Sequence, residues 1–544
     1  MSLQAADDAN ADPSRVWLPE LVQRYARSLS PNEVACVLRL VNKATAAQLR
    51  GTQHATVLLS QPVPHSEFVW RWAQPHALRC LARRQRADLP CLTACSGCVA
   101  NLEVLLARDD VPSPVNVDVF MAAAGAGQLA VCVWLKQHDC PWNSSLLEAA
   151  AEGGHQAVCD WLLANGCPYT DGAAAAAVRG GHVCLMDRLM AASSSSSSLE
   201  SLLSVKGLLS AAAAGCDLAT LQRLYHTHGG SSLDEHGHWA GHVRALAAGS
   251  PVEDWQAKLE WLDAQAKHPR QKTSWPCEKA AGVPDALPRL MWLRQRGYLL
   301  GPRLVGIAAE TGNMELLQYL LDQGVGHQEA FVHGEMRSAA CSGHVDAMKL
   351  LHACGAAADA VDTVYGAARG GHLPALAWLV ETLGAEAALT AGVFASAAMA
   401  GSMELLAWLQ VRGCPWDATT FAAAATEGSE EQLEWLVAQG CPLGDDGAPF
   451  SEAAINGDVT MLRCVQRLGC PWGPDGSTIP RAIRLSVRVE CFAVDSPGAD
   501  GVRRGLGWLL DQGCPVDWAA AEAVAAEYLP WLMRWLHAQM QQRA

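Results

Sequence analysis

The sequence predicts an all-α solenoid, in which short helix pairs stack in one direction through most of the chain. Three observations carry that expectation. Half of the 544 residues are hydrophobic, enough to bury a large core and to exclude disorder as the main state. The apolar set is rich in Ala, Leu and Trp, with 20 Trp against 7 Phe and 7 Tyr, which favours helices over strands. The third is an internal repeat, which decides a fold before any local pattern does.

The unit is plainest at 149–169 (AAAEGGHQAVCDWLLANGCPY), 397–416 (AAMAGSMELLAWLQVRGCPW) and 424–443 (AATEGSEEQLEWLVAQGCPL). Each copy has two alanines, a turn glycine, an apolar run with Trp, a second glycine, then Cys-Pro. The turn glycine recurs at Gly127, Gly154, Gly181, Gly312, Gly343, Gly371, Gly401, Gly428 and Gly457, with neighbours inside each run 27 to 31 residues apart. A second glycine follows 12 residues after six of them, at Gly166, Gly324, Gly355, Gly413, Gly440 and Gly469. Apolar residues between the two glycines fall at i, i+3, i+4, which describes a helix of about 10 residues closed by a C-terminal glycine. The alanines before the first glycine form a shorter, flatter helix. Ala lets the two helices approach closely, and glycine makes the tight turn between them.

The order Ala-Ala-x-x-Gly-His, apolar pairs, then Leu-Leu-x-x-Gly resembles the ankyrin repeat over residues 91–544, in about fourteen units. Gly-His stands at Gly154-His155, Gly181-His182, Gly343-His344 and Gly371-His372. The sequence departs from that family in period, because ankyrin repeats run to 33 residues and open on Thr-Pro-Leu-His. The turn-to-turn part is constant here, so the missing residues come from the connection, which in ankyrin is a β-hairpin finger. We therefore expect shortened or missing fingers, with Pro stopping the second helix and Trp142, Trp416 and Trp472 folding back over the corner. Two stretches lose the register: 191–300, with a flexible insertion at Ser193–Ser198, and 473–502. The resemblance implies a concave surface that binds a protein.

Residues 15–60 do not fit the repeat. Leu18, Leu21, Val22, Tyr25 and Leu29 mark one short amphipathic helix. Ser30-Pro31-Asn32-Glu33 starts a second, which carries Val34, Val37, Leu38 and Val41. Leu18-Pro19-Glu20-Leu21, then Leu29, Pro31, Val34 and Leu40-Val41-Asn42-Lys43, resemble an F-box. One departure is a Leu-Pro pair one residue nearer Leu29 than the usual pattern. The resemblance implies that Leu18, Pro19, Leu21, Val22, Leu29, Pro31, Val34, Leu38, Leu40 and Val41 contact a Skp-type adaptor of a cullin ubiquitin ligase. The competing expectation is a helical cap over the first repeat, which every solenoid needs. Residues 61–90 connect the two parts, and ATVLLSQPV from 55 reads as a short strand.

Charge narrows the partners. Residues 1–90 hold 11 Lys/Arg against 7 Asp/Glu, which leaves 29 against 48 in the remainder. An acidic body repels phosphate backbones, so we expect no nucleic acid among the partners. The basic cluster Arg79, Arg83, Arg84 and Arg86 reads as a solvated helix face or as a contact for an acidic partner. Residues 1–14 are expected to be disordered, and neither a signal peptide nor a membrane span is visible. With 20 Cys and no export signal, a reducing cytoplasmic or nuclear setting follows, and the chain is expected to be monomeric outside its complex.

No catalytic pattern, cofactor site or metal site is expected. Cys91, Cys95 and Cys98 have the spacing of a radical iron–sulfur motif, but Gly97 beside them is the turn glycine of the first repeat, so structural thiols are the reading. Cys140, Cys167, Cys414, Cys441, Cys470 and Cys514 follow the repeat and not a zinc knuckle, and are read as buried, quiet thiols. Histidines after turn glycines are expected to bond to backbone in the next loop. The function these features support is a protein-binding substrate receptor, F-box toward the ligase and solenoid toward a target. The alternative is an ankyrin-repeat scaffold without a ligase link.

Overall fold

In the computed structural model the described residues are 17–111, 114–192, 202–228, 237–265, 272–325, 334–356, 360–488 and 497–543. The expected disorder at 1–14 and the Ser193–Ser198 insertion lie outside them. Among the described residues every regular element is helical and no strand occurs. The segment from 55 that reads as a strand is irregular backbone. Its edge has no partner strand, and Asn32 takes its polar groups instead.

Among the described residues the solenoid begins at Arg83, ahead of the expected start at 91, and runs through fifteen helix pairs to Arg543. Arg83–Cys95 and Val99–Leu106 form the first pair, Val117–Gly125 and Leu129–Gln137 the second, Ser144–Glu152 and Gln156–Ala164 the third. First helices are as long as second ones in these latter pairs, 9 residues each. They extend because Asn116 and Asn143 cap their starts, accepting from the Val119 and Ser145 amides at 2.9 and 3.1 Å.

Small side chains set the packing. The alanine pairs ahead of the turns (Ala123/Ala124, Ala150/Ala151, Ala397/Ala398) are fully buried, and each first helix lies close along the next. Second helices carry Leu and Trp and stand further apart, so the stack curves with the first helices inside. One apolar core runs unbroken from Ala94 to Leu536. The chain is a helical repeat scaffold.

The missing fingers have a specific replacement. Gly166 ends its helix at φ 81°, the Cys167 amide reaches back to Leu162 O at 3.0 Å, and Pro168 bars any continuation, which is a Schellman ending. The cysteine is the apolar residue that such an ending tucks against the helix. Its thiol also donates to Asn143 O at 3.4 Å, and Cys414 does the same to Thr390 O, tying each repeat's end to its own start. Trp142, Trp416 and Trp472 cover the corners, packing on Phe120, Phe394 and Phe450 at 6.3, 5.0 and 3.9 Å between ring centroids.

Eight of the nine expected turn glycines have φ between 64° and 80°. Gly428 differs, at φ −75° and ψ −165°. The next repeat position holds Gln432 in place of an apolar residue. Gln432 reaches back to the Ser429 amide and across to Ala398 O, so that turn closes with an extended glycine.

Glycine is required for two separable reasons. Gly154 has φ 75°, and a Cβ there would lie 2.6 Å from His182 Nδ1. Gly166 has φ 81° with open space beside it. Alanine at Gly166 should cost only the left-handed backbone, about 1–2 kcal/mol, while Gly154→Ala adds the overlap with the His182 ring of the next repeat. Urea unfolding should therefore give Gly154→Ala the lower midpoint of the two. Equal midpoints would contradict the role of close approach.

Candidate interaction surfaces

The amino-terminal module has its own small core, made by Val22, Val34, Leu38 and Leu49 with Trp17 and Ala26 against it. Its first helix, Pro19–Ser28, leads into Pro31–Cys36 through a capping box. The Ser30 amide donates to Glu33 Oε2 at 2.8 Å, and the Glu33 amide donates to Ser30 Oγ at 3.3 Å. The bond from the Ser30 backbone, with its hydroxyl second, holds the Glu33 carboxyl below the usual carboxylate range.

The ten residues expected to meet an adaptor divide between inside and outside. Val22, Val34 and Leu38 are core and present no surface, because an amphipathic helix of this size needs its best-placed aliphatics to fold at all. Leu21 is half-buried, and Pro19 and Pro31 are exposed. Leu18, Leu29, Leu40 and Val41 are exposed by 49, 36, 66 and 47%. Among the described residues, nine of the seventeen exposed large hydrophobics fall between Leu18 and Trp70, a tenth of the chain holding half of its outward apolar side chains. Scattered singly such residues need no explanation, but concentrated ones mark contact surfaces.

Residues 63–81 cover the end of the stack. Val63, Phe68 and Leu78 pack with Leu89 and Leu105 of the first repeat, and the buried Asn101 donates to Val63 O at 3.1 Å while its Oδ1 meets His65 Nδ1 at 2.8 Å. Asn32 joins the module to this cap. Its amide group donates to Leu58 O and Pro62 O at 2.8 and 3.0 Å and accepts from the Leu58 amide at 2.8 Å.

At several repeats along the solenoid, a carbonyl near the end of the first helix meets a donor from the following repeat. His155 Nε2 stands 3.0 Å from Gly125 O and His372 Nε2 2.9 Å from Cys341 O. A carbonyl only accepts, so Nε2 carries the proton. These histidines reach the preceding loop, not the next one, because side chains at a helix start point back toward its N-terminal end. Gln128 and Gln432 fill the same role at Cys95 O and Ala398 O. In the stretch where the register blurs, cations replace them. Lys258 Nζ donates to Ala213 O at 3.2 Å and Cys216 O at 2.7 Å, and Arg289 Nη1 to Ala248 O and Ser250 O at 2.8 and 2.7 Å. Burial pulls the Lys258 ammonium below its ordinary range, opposed by Asp254. Neither cation was legible beforehand, although the absence of His after Gly249 and Gly282 signals that another donor is needed.

Two groups look like ligand sets. Burial pushes the Cys91 thiol up to about 11 and raises that of Cys95, whose Sγ donates to Ala122 O at 3.5 Å in the next repeat. Glu430, Glu434 and Cys464 bring their ligand atoms within 4.8 Å of one another. Arg467 Nη2 lies 2.8 Å from both carboxylates, and Arg79 pairs with Glu434. Cations of the chain already hold the place a metal would take. Among the described residues, no helix is long and apolar enough to cross a membrane.

No family model matches the sequence. No curated protein matches it. Among solved structures the chain is similar to the pentatricopeptide repeat protein PPR10 from maize, at 12% identity over 97% of this chain and 83% of that one, with a TM-score of 0.25. It is similar also to PPR10 in complex with an 18-nt psaJ RNA element, at 10% identity over 96% and 92%, TM-score 0.28. A triple cysteine-to-serine variant of PPR10 with the same RNA element gives 11% identity over 96% and 97%, TM-score 0.21. One expectation is corrected here. Two of these three structures hold RNA, so the exclusion of nucleic acid from the partners is withdrawn.

The thiols allow a direct check. Burial pushes Cys140, Cys414 and Cys470 up to about 12 and Cys441 and Cys514 to about 11, and raises Cys167. At pH 8 such thiols stay almost entirely protonated, and the thiolate is the nucleophile, whereas Cys80, Cys184, Cys341 and Cys354 are exposed. Iodoacetamide followed by mass spectrometry should mark the exposed four on the native chain and the Cys-Pro thiols only in denaturant. Equal native rates for the two sets would refute quiet, packed thiols.

Proposed function

We propose that this chain is a substrate receptor: an ankyrin-like solenoid that holds a target protein, joined to an F-box-like module that docks on a Skp-type adaptor of a cullin ubiquitin ligase. The observation that carries the reading is the outward apolar face of the module. A segment whose four core aliphatics are packed internally still presents Leu18, Leu29, Leu40 and Val41 to solvent. A cap would turn those side chains onto the first repeat, and that place is taken by Val63, Phe68 and Leu78. In this reading the chain performs no transfer chemistry. It raises the effective concentration of its target at the ligase, as tethering does, in the cytoplasm or nucleus.

The test is a pull-down of the full chain against a purified Skp-type adaptor. Wild type should bind, and Leu18→Asp/Leu29→Asp should lose most of the binding with its helicity intact, since both side chains already face water. Val22→Asp serves as the contrast, because a carboxylate in the module's core should unfold it. Failure of the wild-type chain to bind would leave a scaffold with no ligase link.

A further inference from the structure

The basic cluster, Arg79 just ahead of the first repeat and Arg83, Arg84 and Arg86 at its start, is not simply a solvated face. It lies on the turns of repeats eleven to thirteen, with its ion pairs reaching residues more than 340 positions away in sequence. Ala82 sits against Gly401, where a Cβ would come within 3.3 Å. The Glu431 amide donates to Arg79 O at 3.1 Å. Arg79 pairs with Glu434, Arg83 with Glu427 at 3.1 Å, and Arg86 with Asp458. From the opposite side, Arg463 reaches Asp109 at 2.7 Å. Only Arg84 of the cluster remains in water. The stack has thus curved through a full turn and met its own beginning.

Three features distinguish this contact from those between neighbouring repeats. It is built from charge and backbone, where neighbours bury apolar helix faces. Three of its four ion pairs are half-exposed or more open, the kind that salt screens and that contributes little on its own. Its buried pair is incomplete: Arg86 is 2% exposed, yet Arg86 Nη1 has no hydrogen-bond partner, and neither does Arg79 Nε. Repeats hold one another by nearest-neighbour contacts, so the stack does not need this closure in order to stay folded.

We propose that the contact is a clasp that closes the superhelical turn and releases reversibly, so that a target reaches the inner row of first helices when the clasp is open. The ends separate as a spring-like opening spread over eleven repeats, with no repeat unfolding. The inference stands independently of the adaptor reading.

Small-angle scattering of the full chain, with circular dichroism on the same samples, tests it. At low salt the wild-type chain should be compact. In 1 M NaCl, where the Debye length falls to roughly 3 Å, its radius of gyration and maximum dimension should rise with helicity unchanged. Arg83→Glu/Arg463→Glu should show the open profile already at low salt. All four side chains of these pairs are at least 31% exposed, so the variant keeps its core. Adding Glu427→Arg/Asp109→Arg should restore the compact form. Identical scattering for wild type and variant at both salts would overturn the clasp. So would a wild type already open at low salt, or an expansion accompanied by loss of helicity.

Discussion

Everything in this solenoid follows from how closely consecutive first helices approach. Their contact rows are alanine and glycine, and at the tightest points a Cβ would overlap the neighbour's main chain, as at Gly215 against Arg179 O. Such closeness buries apolar area well but shuts water away from the carbonyls that end each helix. An orphaned buried carbonyl costs about 1–3 kcal/mol, and it would do so once per repeat. The donor from the following repeat removes that penalty, and glycine in the turn leaves room for the donor's ring or chain. Turn glycine, alanine pair and donor are therefore one device, and each is needed because of the other two.

That device was largely legible in the sequence because all three parts sit within a few residues of one another. The corner was legible for the same reason: Gly-Cys-Pro-Trp is a helix ending, a tucked small side chain, a stop and a lid. What was not legible depends on geometry accumulated over many repeats or on which way a side chain turns. The start at Arg83 was hidden because the first helix has no glycine ahead of it and carries Pro90 within it. Gly428 takes a different turn because one residue, Gln432, acts from four positions further along. In the module, the spacing identified apolar positions but not their direction, so Val22 and Val34 stood beside Leu18 and Leu40 as equals. Packing separates them, since four aliphatics suffice to close so small a core.

The blurred stretch at 191–300 is instructive for a different reason. The helices there are irregular in length, yet the carbonyls are still met, by Lys258 and Arg289 in place of histidine. A buried ammonium is an expensive donor, tolerable here because Ala213 O, Cys216 O and Ser250 Oγ surround it with Asp254 beside it. Conservation of role without conservation of residue type is what makes such repeats look worn in sequence while the stack continues unbroken.

The charge division of the chain gains meaning at the same level. An excess of cations in residues 1–90 and of carboxylates beyond them invites a reading in terms of outside partners, and that reading fails for the arginine cluster because its counter-charges are within the molecule. Curvature decides this. Each repeat adds a small rotation, and only when some eleven have been added do Glu427, Glu434 and Asp458 arrive over Arg83, Arg79 and Arg86. A longer unit with hairpin fingers would space and turn the repeats differently and bring other side chains over the first. The short connection between repeats, legible as a short period, is thus also what sets where the two ends of the charge pattern meet.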